Sequence, residues 1–148
     1  MRFPRRMVLV LIAALALAGC ATQGVSYKEQ EAKLPQLSPS AGRIFIYRSS
    51  SLGFAVQPNV FLNGVVVGTA VPNAVYFFDR PKGSYEIATS TEVEKKVTFV
   101  LDSGEIKYVR LTPTFGLVIG RIVPELVAKE EATKELLDLT LITPSTAK

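Results

Sequence analysis

The sequence has no histidine, no tryptophan and one cysteine among its 148 residues. Without histidine the chain has no imidazole base, no Ser-His-Asp or Cys-His catalytic arrangement and no histidine-containing metal site. A single cysteine forms neither an internal disulfide nor a thiolate zinc site. These absences point away from an enzyme, and they predict no catalytic residues, no metal and no cofactor.

The N-terminus has the layout of a secretory signal peptide. Arg2, Arg5 and Arg6 precede an apolar run from Met7 to Leu17, and this run is shorter than the roughly 20 residues of a spanning helix. It closes with the residues Leu17, Ala18, Gly19 and Cys20. These four residues resemble the bacterial lipobox, which implies a covalent lipid on Cys20 and removal of residues 1–19. The alternative is an ordinary signal peptide whose boundary coincides with a cysteine.

The charge balance changes when residues 1–19 are removed. Three of the 17 basic residues leave, so 14 basic residues remain against 13 acidic ones. A near-neutral chain offers no concentrated basic face, which predicts no nucleic-acid partner. The predicted partners are a membrane, reached through the lipid, and other envelope proteins, while the oligomeric state is left open.

The predicted location is the bacterial cell envelope. Ala21, rather than aspartate, follows Cys20. In a Gram-negative cell, resemblance to sorted lipoproteins then favours the outer membrane, with the protein facing the periplasm.

The rest of the chain divides by composition. Residues 20–41 are rich in Gln, Ser, Pro, Lys and Glu and read as a flexible tether that reaches about 70 Å when extended and averages about 25 Å as a coil. A short helix over Tyr27–Lys33 is the alternative. A folded domain is predicted over residues 42–141, followed by a C-terminal tail at 142–148.

The folded domain reads mainly as β-strands. Asn63-Gly64 between two apolar runs is the preferred two-residue hairpin turn. About seven short strands at intervals of roughly ten residues predict one antiparallel β-sandwich or partly open barrel. The predicted segments, which number eight when the two arms of the Asn63-Gly64 hairpin are counted separately, are Arg43–Arg48, Asn59–Leu62, Val65–Gly68, Ala74–Phe78, Ser84–Thr91, Lys95–Leu101, Ile106–Thr112 and Leu117–Val123.

One amphipathic helix is predicted near the C-terminus, over Ala128–Leu139. Ala128, Ala132 and Leu136 follow helical spacing, with charged residues on the opposite side. Its polar face mixes both signs of charge, which favours packing on the sandwich over binding to a membrane surface.

Five motifs follow one another in this domain, at Gly42–Arg48, Val60–Gly68, Pro81–Ile87, Tyr108–Leu111 and Glu131–Leu137. Their order resembles the bacterial lipoprotein family called domain of unknown function 2846. The resemblance implies an envelope lipoprotein with a sandwich-like fold and supplies no catalytic residues. The central part is also similar to PEGA-type β-modules of envelope proteins.

The candidate partner contacts are apolar side chains on loops. Leu52 and Phe54 lie between Ser50 and Pro58, and Phe115 precedes an apolar run. Such side chains either bind a partner or cap the end of the core. The ligand-binding residues are otherwise unknown, and the acidic residues Glu130, Glu131, Glu135 and Asp138 read as a solvated helix face.

Three functions follow from these observations. A non-catalytic structural or interaction module of the envelope is favoured. A small-ligand or glycan-binding module is the alternative, and it predicts an exposed aromatic row drawn from Tyr47, Tyr76, Phe78, Tyr85 and Tyr108. An enzyme would need a polar cleft that collects Ser or Lys with an acid.

Overall fold

A computed structural model describes residues 24–91, 94–115 and 120–144. Ten strands and two short helices are present in these ranges. The strands are β1 (Val25–Ser26), β2 (Ala41–Arg48), β3 (Asn59–Leu62), β4 (Val65–Thr69), β5 (Ala74–Pro81), β6 (Gly83–Thr89), β7 (Lys95–Leu101), β8 (Ile106–Thr114), β9 (Arg121–Val127) and β10 (Thr140–Leu141). The helices are α1 (Tyr27–Gln30), continued by a 3-10 turn at Glu31–Lys33, and α2 (Lys129–Leu136).

The strands form two sheets that pack as a sandwich, which confirms the predicted fold class. One sheet has the order β1-β10-β5-β2-β8-β9, and the other has the order β4-β3-β6-β7. The sandwich is not wholly antiparallel, because β2 pairs in parallel with β8 and β10 pairs in parallel with β5. These four strands are far apart in sequence, so no hairpin turn fixes their relative direction.

The predicted hairpin at Asn63-Gly64 is confirmed. Both residues have positive φ, 49° at Asn63 and 79° at Gly64, as a type I′ turn requires. The turn joins β3 to β4, and the Asn63 side chain accepts a hydrogen bond from the backbone N–H of Glu86 at 2.8 Å. The hairpin is therefore fixed to β6 in the same sheet.

Strand β2 is buried on both faces because each face packs on a different core. Ile44 and Ile46 belong to the inner core, between the two sheets. Phe45 and Tyr47 belong to the outer core, on the opposite face of the six-stranded sheet. The buried members of the outer core are Tyr27, Phe45, Tyr47, Val75, Tyr108, Ala132, Leu136 and Leu139.

The N-terminal segment covers part of the outer core, so the tether predicted for 20–41 is wrong from residue 24 onward. Tyr27 is buried and packs edge-to-face on Phe45, with ring centroids 5.9 Å apart. Its backbone N–H donates to the carbonyl of Leu139 at 2.9 Å. The helix considered as an alternative for this segment is present as α1 and the 3-10 turn. A lone aromatic side chain and backbone pairing order a segment whose composition is that of a linker.

A part-buried ion pair fixes the other end of this segment. The Arg43 guanidinium, 5% exposed as a residue, donates to both carboxylate oxygens of Asp79 at 2.6 and 2.8 Å and to the carbonyl of Pro35 at 2.8 Å. It also lies 4.5 Å from the centroid of the Phe77 ring. Strand β5 continues past its predicted end at Phe78 to Pro81, because the chain crosses to the second sheet at Lys82.

The C-terminal region also differs from its predicted boundaries. Strand β9 includes Pro124, opposite Leu111 of β8, which is tolerated because β9 is an edge strand. The predicted strand Leu117–Val123 falls partly outside the described residues. Helix α2 packs Ala132 and Leu136 on the outer core, as predicted. Ile142, assigned to the tail, packs against the inner core.

Candidate functional site

An apolar cleft lies at one end of the sandwich, with a volume of about 200 Å³. One wall is the loop after β2, and the other is formed by the end of β8 and the start of β9. The lining residues are Leu52, Gly53, Val56, Pro113, Thr114, Phe115, Gly120, Arg121 and Ile122. Residues 116–119 lie outside the described part of the chain.

A buried arginine holds the first wall in place. Arg48 is 0% exposed and donates to the carbonyls of Leu52, Gly53, Val56 and Ala70 at 2.5, 3.0, 2.8 and 2.9 Å. Among the described residues no carboxylate pairs with it, and burial lowers the pKa of its guanidinium from the usual value. Because the planar guanidinium presents several donors in fixed directions, one side chain fixes a whole loop.

Two large apolar side chains at this cleft are exposed to solvent. Leu52 is 54% exposed and Phe115 is 90% exposed. Neither side chain closes the core, in contrast to the capping alternative. Phe54, 70% exposed, is on the same loop as Leu52 but does not line the cleft. The structure thus brings two of the three predicted contact residues together and leaves the third beside them.

The polar chemistry of the cleft is limited to one wall. Arg121, at the start of β9, has a buried Nε with no hydrogen-bond partner among the described residues. Its neighbour Ile122 accepts a hydrogen bond from the Thr89 hydroxyl of the other sheet at 2.6 Å through its carbonyl. The cleft therefore has the character of a site for an apolar group, with one cationic side chain at its edge.

A second polar cluster, missed in the sequence, joins helix α2 to the six-stranded sheet. Arg110 donates to Glu125 at 3.0 Å, to Glu131 at 2.6 Å and to Glu135 at 3.0 Å. The Tyr47 hydroxyl donates to the other oxygen of Glu135 at 2.5 Å. The acidic face of the helix is therefore partly engaged with the sheet. The solvated interpretation is wrong for Glu135, whereas Glu131 pairs with Arg110 and stays exposed, as predicted.

The ionisation of this cluster follows from its contacts. Partial burial alone lowers the pKa of Arg110, but the hydrogen bonds that it donates to Glu131 and Glu125 and the charge of Glu135 raise this pKa overall. Burial, followed by the hydrogen bond to Glu135, raises the pKa of Tyr47 above its usual range. Hydrogen bonding by the Thr112 hydroxyl, supported by Arg110, lowers the pKa of Glu125. These pKa shifts favour a charged Arg110, an ionised Glu125 and a neutral Tyr47, as expected of a structural network.

The network predicts a pH dependence of stability that depends on Glu125. The Glu125 carboxylate takes up its proton at a higher pH in the unfolded chain than in the folded chain. The contribution of ionised Glu125 to stability is therefore present above the usual glutamate pKa of 4.5, and it is lost as the pH falls through the lower pKa of the folded chain. In Glu125→Gln, the urea midpoint should fall less between about pH 6 and about pH 3 than in the unmodified protein. Glu130→Gln, on the exposed side of α2, is the matched control and should retain the full fall. Equal acid sensitivity of Glu125→Gln and the unmodified chain would contradict this account.

The aromatic row required by the glycan-binding interpretation is not present among the five residues named for it. Tyr47, Tyr76 and Tyr108 are buried. Phe78 and Tyr85 are half-buried and pack against the inner core. These side chains stabilise the sandwich, and they leave no row of aromatic rings for a sugar to stack on.

No helix in the described ranges is long and apolar enough to cross a bilayer. No group of three or more Asp, Glu, His or Cys side chains within residues 24–91, 94–115 and 120–144 is placed to hold a metal ion. Cys20 and the lipobox residues Leu17, Ala18 and Gly19 lie outside these ranges.

The chain forms a two-layer β-sandwich with an apolar cleft at one end, and this fold does not by itself imply a function. The family described as protein of unknown function (DUF2846) matches residues 38–120. The match covers more than half of the chain, and the chain belongs to this family. The predicted family resemblance is thus confirmed, whereas the similarity to PEGA-type modules stays a prediction.

One curated relative is similar over most of the chain. It is an uncharacterized protein of Haemophilus influenzae, 26% identical over 132 residues, which cover 86% of this chain and 79% of the relative. No solved structure matches the chain. The family match ends at residue 120, so it includes Leu52 and Phe115 and stops just before Arg121.

Proposed function

We propose that the protein is a lipid-anchored, non-catalytic module of the bacterial envelope that binds another envelope protein through the apolar cleft. The observation that carries the binding role is the pair of exposed side chains, Leu52 and Phe115, on the two walls of one cleft. The lipid anchor is supported by the order Leu17-Ala18-Gly19-Cys20 behind a basic and apolar N-terminus. Ala21 after the cysteine favours the outer membrane of a Gram-negative cell.

The energetics favour a protein partner. Complete burial of a Leu or Phe side chain contributes about 1.5 to 3 kcal/mol, so burying Leu52 and Phe115 in one interface would contribute substantially to binding. Arg48 fixes the Leu52 wall before a partner arrives, so less conformational entropy is lost on association. Apolar anchors on preformed loops are typical of the centre of a protein interface.

The anchor is tested by Cys20→Ala in the full-length precursor. This change removes the only thiol in the chain, and we expect complete loss of metabolic labelling with a radioactive fatty acid. Ser26→Ala, outside the lipobox, is the control and should be labelled normally. Labelling that persists in Cys20→Ala would refute the lipid anchor.

The binding role is tested by photocrosslinking in native membranes. A photoreactive phenylalanine analogue at Phe115 should form one defined adduct, identified by mass spectrometry, and Leu52→Glu should reduce that adduct about tenfold because a charge is costly in an apolar interface. The same analogue at Ile106, which is 40% exposed on β8 away from the cleft, is the control. An adduct that is unchanged by Leu52→Glu, or equal from Ile106, would exclude the cleft as the binding site.

A further inference from the structure

A second apolar surface lies at the opposite edge of the six-stranded sheet from β9. It surrounds a depression of about 290 Å³ lined by Val25, Phe77, Leu141, Ile142, Thr143 and Pro144, and we call this surface the β1 corner. Val25 is 49% exposed there, while Leu141 and Ile142 are half-buried. Within the described chain, β10 pairs with β5 only at Ala74 and Val75. Among these residues, the edge of β5 at Phe77 therefore has no neighbouring strand on the β10 side.

The position of Gly24, the first described residue, makes this corner important. Val25 pairs with Leu141, and a Cβ added to Gly24 would lie 2.5 Å from the carbonyl oxygen of Leu141. Gly24 is therefore packed directly against β10. Because Tyr27 and Pro35 are also fixed to the sheet, the chain between Gly24 and β2 adds no reach to a membrane tether.

The distance from the corner to the anchor is correspondingly short. Four residue steps separate Cys20 from Gly24, and four residues span at most about 14 Å even when fully extended. Acyl chains on Cys20 would hold that residue at the level of the lipid head groups. The part of the domain nearest to Gly24 is then kept at the bilayer surface.

We propose that the β1 corner is the membrane-facing surface of the domain and lies on the lipid bilayer. The inference rests on the proposed lipid anchor and adds an orientation to it. The short connection brings the corner to the bilayer, and the exposed Val25 side chain, with the half-buried Leu141 and Ile142 beside it, contacts the interfacial region. Edge strand β9, five strand spacings or about 24 Å away across the sheet, then faces away from the lipid.

The experiment uses the lipidated protein reconstituted in phosphatidylethanolamine–phosphatidylglycerol vesicles. Cysteines are introduced singly at Val25 or at Leu126 of β9, since these side chains have matched exposures of 49% and 44%, and each is labelled with an environment-sensitive fluorophore. The Cys20 thiol is consumed by the lipid. Iodide in the water should quench the label on Val25→Cys at least about threefold less than the label on Leu126→Cys, and nitroxide-labelled lipid should quench it more.

The possible failures are distinguishable. Equal iodide quenching at the two positions, with the protein still floating with the vesicles, would overturn the orientation and leave the anchor intact. Protein that does not float with the vesicles would overturn the anchor and the orientation together. Protection of Val25→Cys that persists without vesicles in the Cys20→Ala chain would show that protein covers the corner instead of lipid, which also overturns the proposal.

Discussion

Replacing Arg48 by methionine is expected to lower the free energy of unfolding by about 2 to 4 kcal/mol. Arg48 is fully buried and donates to four backbone carbonyls, including that of Ala70 before β5. Methionine fills a similar volume but donates no hydrogen bond, so buried carbonyls lose their donor. A buried carbonyl without a partner costs about 1 to 3 kcal/mol, and the removal of a buried charge offsets part of this loss.

The measurement is urea unfolding of the folded domain followed by tyrosine fluorescence. Arg80→Met is the control, because Arg80 is only half-buried, donates to the adjacent Asp79 carbonyl at 3.1 Å and lies 5.1 Å from the centroid of the Phe78 ring. Arg80→Met should lower the free energy of unfolding by less than about 1 kcal/mol. Arg48→Lys should recover only part of the lost unfolding free energy. A single ammonium group cannot reach all the carbonyls that the two terminal nitrogens of the guanidinium contact.

The same variant connects stability to the proposed function. If Arg48 fixes the Leu52 wall, Arg48→Met should also weaken photocrosslinking from Phe115 under conditions where the domain remains folded. An unfolding free energy within about 0.5 kcal/mol of the unmodified value, together with unchanged crosslinking, would show that the loop is fixed by other contacts.

The burial of Arg48 could be predicted from the sequence, but only by extending the alternation of inward and outward side chains along β2 to its last residue. Side chains two residues apart share a face, so Ile44 and Ile46 on the inner face place Arg48 on that face too. An arginine at a predicted strand end reads more simply as an exposed boundary residue. What the sequence does not contain is the set of acceptors, because the carbonyls of Val56 and Ala70 reach Arg48 through loop geometry.

The local features were predictable for a physical reason. The Asn63-Gly64 hairpin, the apolar pattern of β2 and the apolar stripe of α2 depend on residues that are close in sequence, whose conformational preferences act directly. The parallel pairing of β2 with β8 depends instead on contacts between segments about 60 residues apart. The Arg110 network has the same origin, since its four charged residues come from β8, β9 and α2.

The composition of the N-terminal segment predicts a linker, although one buried residue fixes the segment to the domain. Residues 24–40 are mostly exposed and polar, which is typical of a linker. Tyr27 alone is buried among them, and Arg43 holds the Pro35 carbonyl from the sheet side. A segment fixed at two points in this way behaves as part of the domain. The connection between the domain and its proposed anchor is therefore shorter than a free linker would be.

Tyr27→Ala should therefore detach this segment and lengthen the connection to the anchor. Truncating a buried aromatic side chain costs about 3 to 5 kcal/mol when the site cannot collapse. Because Tyr27 lies in a peripheral segment, we expect part of this cost to appear as local opening of residues 24–34, with faster hydrogen exchange at the Tyr27 amide that bonds Leu139. Tyr27→Phe keeps the ring against Phe45 and should stay close to the unmodified protein. In the lipidated Tyr27→Ala chain, a label at the exposed Thr143 of the β1 corner should become as accessible to iodide as one at position 126, because the released segment allows the domain to leave the bilayer. Slow exchange retained in Tyr27→Ala would show that Arg43 and the β1–β10 pairing fix the segment without the aromatic contact.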